Sequence, residues 1–265
     1  MRKGYLVYEK EDAVKNKAYI DWLIEEASKK ALEVKLIINN KEIFNLNMDE
    51  EKLDEIDFVI NRSRDYKVTE FFESKKIRVF NKSKFCLLGN DKLLAYEFID
   101  NLEINYPRIY KDEKEALETD EKIIVKPKAG HGGEGIKIFN DERLDFEANV
   151  YQEFIEDYVG DIRFYVINNE VVNSVIRKPK EDSLVSNFTK GGNIEIYNMK
   201  NKDKEILNKI LENIEIDYGG IDFLLLKNGE ILFNEFEDAV GSRMLSALNI
   251  NNTMELFLNH IRDKL

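Results

Sequence analysis

Residues 220–238 read GIDFLLLKNGEILFNEFED. Two apolar runs flank Asn228-Gly229, the dipeptide most characteristic of a two-residue type I′ hairpin. Such a turn pairs Lys227 with Glu230, and counting back along both strands sets Asp222 opposite Glu235. Side chains alternate with period two, so Glu237 shares that face, with Leu224 and Phe233 beside it. Three carboxylates thus converge on one patch. Two unit charges about 5 Å apart repel by roughly 3 kcal/mol at an effective dielectric of about 20. Like charges directly opposed weaken a sheet, so a compensating cation is expected. Mg²⁺, with its preference for oxygen ligands, meets that need and commonly bridges nucleotide phosphates through a few carboxylates. The alternative is a solvated acidic face, ordinary in a chain with 52 acidic residues.

A second stretch, EKIIVKPKAGHGGEGIKIF at 121–139, points to the anion such a cation would accompany. Ile123 to Val125 and Ile136 to Phe139 read as strands around a loop holding Gly130, Gly132, Gly133 and Gly135. Glycines let a backbone approach a ligand and turn its N–H groups toward an anion. Lys126 adds a point charge beside them. No Gly-Lys-Ser/Thr follows and the next element is a strand, so neither a P-loop nor a dinucleotide fingerprint is present. A mobile turn is the alternative reading.

The composition narrows the class. The chain has 265 residues, 43% of them hydrophobic, enough for one large or two to three small domains with a substantial core. No apolar run reaches the roughly 18 residues of a membrane span. The opening MRKGYLVYEKED has no long apolar core, so no signal peptide is expected. One cysteine, Cys86, fits a reducing, cytoplasmic setting, and two histidines leave little room for a zinc site. A net charge of −12 argues against nucleic-acid binding but permits a small anion held by local positive charge.

Working outward in chain order, strands are expected at 5–8, 34–38, 57–60 and 77–80, with helices at 19–32 and 68–74, which makes an N-terminal α/β layer. Arg62 and Arg64 follow its third strand, at the sheet end where ligands commonly bind, and suit an anionic substrate; a solvated loop is the alternative. Asn90 or Asp91 is a plausible N-cap for a helix over 92–99. Lys92 then stands in the first turn, against the helix dipole, as if facing an anion; an ordinary surface lysine is the alternative. Residues 141–148 read as a polar helix or loop and VYQEFI at 150–155 as extended. Asn168-Asn169 joins a hairpin of 161–166 and 170–176. A loop over 181–193 and helices over 202–212 and 253–261 complete the chain.

Taken together, these segments resemble the ATP-grasp superfamily and, within it, RimK-like carboxylate–amine ligases of the alpha-L-glutamate type. The resemblance runs over nearly the whole chain through NDK (90–92), VKP with the Gly-rich loop (125–135), YQEFI (151–155), DIRFYVINNEVV (161–172), SNFTKGG (186–192) and GIDFLL…LFNEFE (220–237). It implies an α/β (α+β) fold in three parts: an N-terminal α/β pre-ATP-grasp domain (1–85), a central lid (86–152) and a C-terminal antiparallel-sheet domain with the metal site (153–265). It implies ATP and Mg²⁺, with Mn²⁺ as an alternative. Lys92 and Lys126 match the phosphate lysines, with Gly132 and Gly133 in the covering loop. Glu153 and Phe154 match the adenine hinge, with Gln152 beside them as a further cofactor-binding residue, Asp161 a ribose-side contact, and Ser186 and Asn187 the nucleotide-facing loop. Asp222, Glu235 and Glu237 match the metal ligands. Arg163 and Arg177 fall near the phosphoryl-transfer centre with Lys126. The implied partners are a small-molecule carboxylate and an amine, and family analogy suggests a homodimer or homotetramer. Two features depart from the pattern. Glu237 stands where Asn is common, and EDAVGSRML replaces a following Pro-Gly. Arg243 either anchors a substrate carboxylate or neutralises Glu237 or Asp238. A phosphotransferase and a nucleotide-binding regulator without turnover are the alternative functions.

Overall fold

Residues 1–39, 55–128, 135–140, 143–179 and 193–265 are described by the structure, a computed structural model. Gly132, Gly133, Ser186 and Asn187 lie outside them. Three sheets organise these residues.

The first sheet is parallel: β1 (Arg2–Tyr8), β2 (Leu32–Ile38), β3 (Phe58–Asn61) and β4 (Arg78–Phe80), in the order β2-β1-β3-β4. The expected 19–32 helix starts earlier and stops sooner. Lys10–Lys15 and Lys17–Lys29 are helical, separated at Asn16, and Ala31 turns left-handed (φ 60°), so Leu32 opens β2 instead of ending the helix. The helix Tyr66–Ser74 is capped by Asp65, whose carboxylate accepts from the Lys67 N–H.

The central sheet has the order β5-β8-β6-β7 and is antiparallel: β5 (Ile109–Tyr110), β6 (Ile123–Pro127), β7 (Lys137–Ile138) and β8 (Asn149–Glu153). It is preceded by two helices. Ser83–Asn90 has no counterpart in the sequence reading, and Lys92–Asn101 begins where NDK placed it.

The third sheet, β11-β10-β9-β12-β13, is also antiparallel: β9 (Tyr158–Ile167), β10 (Glu170–Lys178), β11 (Asn193–Ile196), β12 (Tyr218–Leu226) and β13 (Ile231–Glu237). Asn168 and Asn169 both have positive φ (51° and 57°), as a type I′ turn requires, and join β9 to β10. The β12–β13 turn differs from expectation. Leu226 N–H donates to Glu230 O (2.9 Å) and only Gly229 has positive φ (81°), so three residues form the loop. That shifts the register by one. Asn234, an extra residue in β13, shifts it back, so Asp222 still faces Glu235 while Phe223 faces Phe233. Phe233 is therefore not beside the carboxylates. It lies on the opposite face, fully buried against Phe223 (5.8 Å between ring centroids) and Phe236 (4.8 Å).

The C-terminal helix Thr253–Lys264 folds back on the first sheet. Phe257 meets Phe80 edge-on, and His260 Nε2 lies 2.7 Å from Asp217 Oδ1. Asn81 ties the same parts together. Its amide donates to Tyr218 O and Asp238 O and accepts from the Asp217 and Tyr218 N–H groups. Among the described residues, no helix is long and apolar enough to cross a membrane.

Candidate active site

Asp222, Glu235 and Glu237 each present one carboxylate oxygen within 4.8 Å of the others. Pairing in the β12–β13 ladder fixes the first two, and the two-residue period brings in the third. The chain itself supplies much of the compensating charge that the sequence reading assigned to a metal. Arg163 on β9 clamps Asp222 through two bonds, Nε to Oδ1 (2.7 Å) and a terminal nitrogen to Oδ2 (2.6 Å). Arg177 on β10 adds a third, to Oδ2 (2.6 Å). Burial alone would raise the Asp222 carboxyl, but the two guanidiniums outweigh it and hold it below the usual aspartate range. Arg163 also reaches Glu237 (2.7 Å).

Glu235 differs. Lys92 Nζ lies 3.6 Å from it, and burial pushes its carboxyl above the ordinary glutamate range, with Lys92 pulling the other way. Asp91 caps the helix that presents Lys92, its carboxylate accepting from Leu93 N–H (2.9 Å) and Leu94 N–H (3.2 Å). The anion that makes a first-turn lysine tolerable is Glu235.

Lys126 is the penultimate residue of β6 and is 7% exposed. Its Nζ donates to Asn234 Oδ1 (2.9 Å), and burial lowers its ammonium to about 8. Lys92 and Lys126 thus approach the carboxylate patch from a helix and from the central sheet, while Arg163 and Arg177 approach from β9 and β10.

An oxygen-preferring dication fits the donors present. All three are carboxylates, Glu235 is under-compensated, and Asp222 Oδ1 accepts a single N–H bond and so keeps a lone pair. Glu237 adds a third charged oxygen donor.

The remaining sequence candidates divide. Asp161 faces the same cluster, but its carboxylate accepts from Arg177 Nε and from Tyr158 OH (2.9 Å). Gln152 is buried, with Nε2 donating to Tyr96 OH (3.0 Å). Glu153 and Phe154 continue β8 outward, their N–H groups bonded to Arg108 O (2.9 Å) and Lys122 O (2.8 Å). A cavity of ≈510 Å³ opens beside them, lined by Glu153, Ile155, Tyr106, Pro107, Leu226 and Leu232.

Arg62 is not a ligand-facing arginine. It is buried, with Nε donating to Tyr8 OH (2.7 Å) and a terminal nitrogen to Ala239 O (3.1 Å) and Val240 O (2.8 Å), and its guanidinium lies over the Tyr19 ring (4.9 Å). Arg64 pairs with Asp12 (3.0 Å). Arg243 is exposed and reaches Asn16 Oδ1 (3.5 Å); Arg163, not Arg243, neutralises Glu237. The sequence reading missed Asn234 and Tyr96. A signal for the first exists: Phe233 and Phe236, three apart, cannot share a core face in an unbulged strand.

A RimK-like ATP-grasp domain matches residues 82–259, so the chain belongs to the RimK-like ATP-grasp family. It is 28% identical over 261 residues to the uncharacterized protein MG011 of Mycoplasma genitalium, covering 93% of this chain and 88% of that one. It is 25% identical over 195 residues to a probable alpha-L-glutamate ligase of Histophilus somni, 67% of this chain and 65% of that one. In fold it is similar to the D-alanine–D-alanine ligase of Bacillus anthracis complexed with ATP, with a TM-score of 0.71 at 16% identity over 99% and 97% of the two chains.

Proposed function

We propose that this chain is an ATP- and Mg²⁺-dependent carboxylate–amine ligase that makes an amide bond, with an amino acid or small peptide as substrate. The observation that carries the reading is the convergence of Asp222, Glu235 and Glu237 with Lys92, Lys126, Arg163 and Arg177, four cations and three anions drawn from two sheets and a helix. Family membership supports it.

The γ-phosphoryl group of ATP passes to a substrate carboxylate oxygen, the bond from γ-phosphorus to the bridging oxygen breaks, and ADP leaves. The amine then attacks the acyl carbon, phosphate departs with the C–O electron pair, and the amine gives up a proton. The chain's own groups would orient and neutralise, with no protein nucleophile. Lys92 and Lys126 would meet phosphate oxygens. Arg163 and Arg177, already ordered by Asp222, would face the charge that develops in transfer. A divalent cation, held by Glu235 and Glu237 with Asp222, would supply neutralisation of the phosphate oxygens. The hinge role of Glu153 and Phe154, the lid role of the loop with Gly132 and Gly133, the nucleotide-facing role of Ser186 and Asn187, and the three-part division at 85/86 and 152/153 belong to the same proposal.

The test is ADP release with Mg²⁺ against a panel of amino acids and short peptides, for wild type and Glu235→Ala. The expected result is ADP stimulated by one carboxylate–amine pair, an amide in the product by mass, and no release from the variant. A phosphorylated end product, or no ADP from any pair while ATP still binds, would count against a ligase.

A further inference from the structure

Strand β13 carries one residue more than its partner. Asp222 faces Glu235 and Phe223 faces Phe233, so Asn234 has no residue opposite. Bulges re-aim side chains, and this one does so twice. It turns Phe233 into the core and leaves Asn234 next to Glu235 at the site. Asn234 is then held on two sides. Its Oδ1 accepts from Lys126 Nζ (2.9 Å), and its main-chain oxygen accepts from Tyr96 OH (2.9 Å). The same Tyr96 hydroxyl accepts from Gln152 Nε2 (3.0 Å). Tyr96 and Gln152 are 3% and 1% exposed, so the bond between them is shielded from water. Tyr96 is also fixed by stacking on Tyr106, with ring centroids 5.3 Å apart.

The bulged residue is therefore where Lys126 of β6 and, through Tyr96, Gln152 of β8 are tied to the third sheet. A lysine ammonium is a point charge on a flexible four-carbon stem with three donors. One donor given to Asn234 fixes its direction and leaves two for a ligand.

We infer that Asn234 is a positioning residue for Lys126: it holds the ammonium already aimed, so that a nucleotide phosphate meets an ordered donor. It acts through Lys126 and does not touch the nucleotide. Gln152 and Tyr96 anchor the bulge from behind and act the same way. The inference rests on the nucleotide reading proposed above. The order already present in the free protein is ordering that the ligand does not have to impose.

The experiment is calorimetric titration of ADP with Mg²⁺, and of adenosine, into wild type, Asn234→Leu, Lys126→Met and the double variant. Asn234→Leu should weaken ADP about tenfold, the scale of one charge-assisted hydrogen bond. It should leave adenosine unchanged and add nothing in the Lys126→Met background. Should Asn234→Leu not fold, Tyr96→Phe keeps the ring and deletes the hydroxyl, and it should weaken ADP severalfold while sparing adenosine. Equal losses for ADP and adenosine, or an undiminished loss in the Lys126→Met background, would assign the bulge to the fold alone and overturn the inference. Wild-type ADP affinity in Asn234→Leu overturns it while leaving the nucleotide reading standing. No ADP binding by wild type removes both.

Discussion

Lys126→Met should make the free protein more stable at neutral pH. Lys126 is 7% exposed, and its ammonium titrates at about 8 instead of its ordinary 10.5, with burial as the largest cause. In the unfolded chain it holds its proton to about 10.5; in the fold it releases it near 8. At pH 7 both states are charged and the full penalty of burying the charge applies, roughly 3 kcal/mol at about 1.4 kcal/mol per tenfold. Methionine removes that penalty but leaves Asn234 Oδ1 without its donor, which costs about 1 kcal/mol. The net gain is about 2 kcal/mol, or about 5 °C in Tm for a chain of this size. Between pH 8 and 10.5 the unfolded chain binds more protons than the fold, so wild-type stability rises with pH and the gap to the variant closes. MgATP in excess should reverse the ranking, because the wild type gains stability from binding and the variant gains little. Thermal unfolding at pH 7, 9 and 10, with and without nucleotide, measures all three effects. A variant less stable than wild type at pH 7, or a gap that does not narrow from pH 8 to 10, would refute the reasoning.

Two further predictions concern how the site is held. At Gly160 an added Cβ would lie 2.5 Å from the carbonyl oxygen of Arg177, so Gly160→Ala should force β9 and β10 apart and displace the guanidinium from Asp222; a loss of about 1–3 kcal/mol is expected in urea unfolding, together with weaker Mg²⁺-dependent ADP binding. Asn81→Ala deletes four buried hydrogen bonds between the first sheet and the two ends of the β12–β13 hairpin; urea unfolding should show a loss of about 3 kcal/mol or more, and a loss under 1 kcal/mol would mean that water replaces the amide.

What could be read from the sequence is what depends on neighbours along the chain. Asn168-Asn169 names its turn because few side chains tolerate two positive φ values in succession, and Asp91 names its helix start because a carboxylate satisfies otherwise unpaired N–H groups. The carboxylate patch was legible for the same reason, though two local errors cancelled: the Asn228-Gly229 turn holds three residues, and Asn234 restores the register. What stayed hidden depends on partners far along the chain. Arg62 has the sequence context of a ligand arginine, yet Tyr8, Ala239 and Val240 occupy it. Like-charge repulsion among Asp222, Glu235 and Glu237 suggests a need for metal, but two arginines meet that need at Asp222, and they reach it only in the folded sheet, where β9 pairs with β12 and β10 with β9.

The division of charge between Asp222 and Glu235 bears on how such a site works. A carboxylate bonded to two guanidiniums is held in one orientation and gains little from another cation, whereas Glu235, half-buried with Lys92 Nζ at 3.6 Å and no bidentate arginine, gains more. The first orders the arginines before any ligand arrives; the second keeps an unmet preference for positive charge. Both depend on β13 presenting Glu235 opposite Asp222, and that register depends on the extra residue at Asn234. Deleting Asn234 would move Glu235 one place along β12 and, by the period of two, turn either it or Phe233 to the wrong face. The bulge therefore serves core and site at once, because the residue that lets Phe233 be buried is also the one that sets Glu235 in place and receives Lys126.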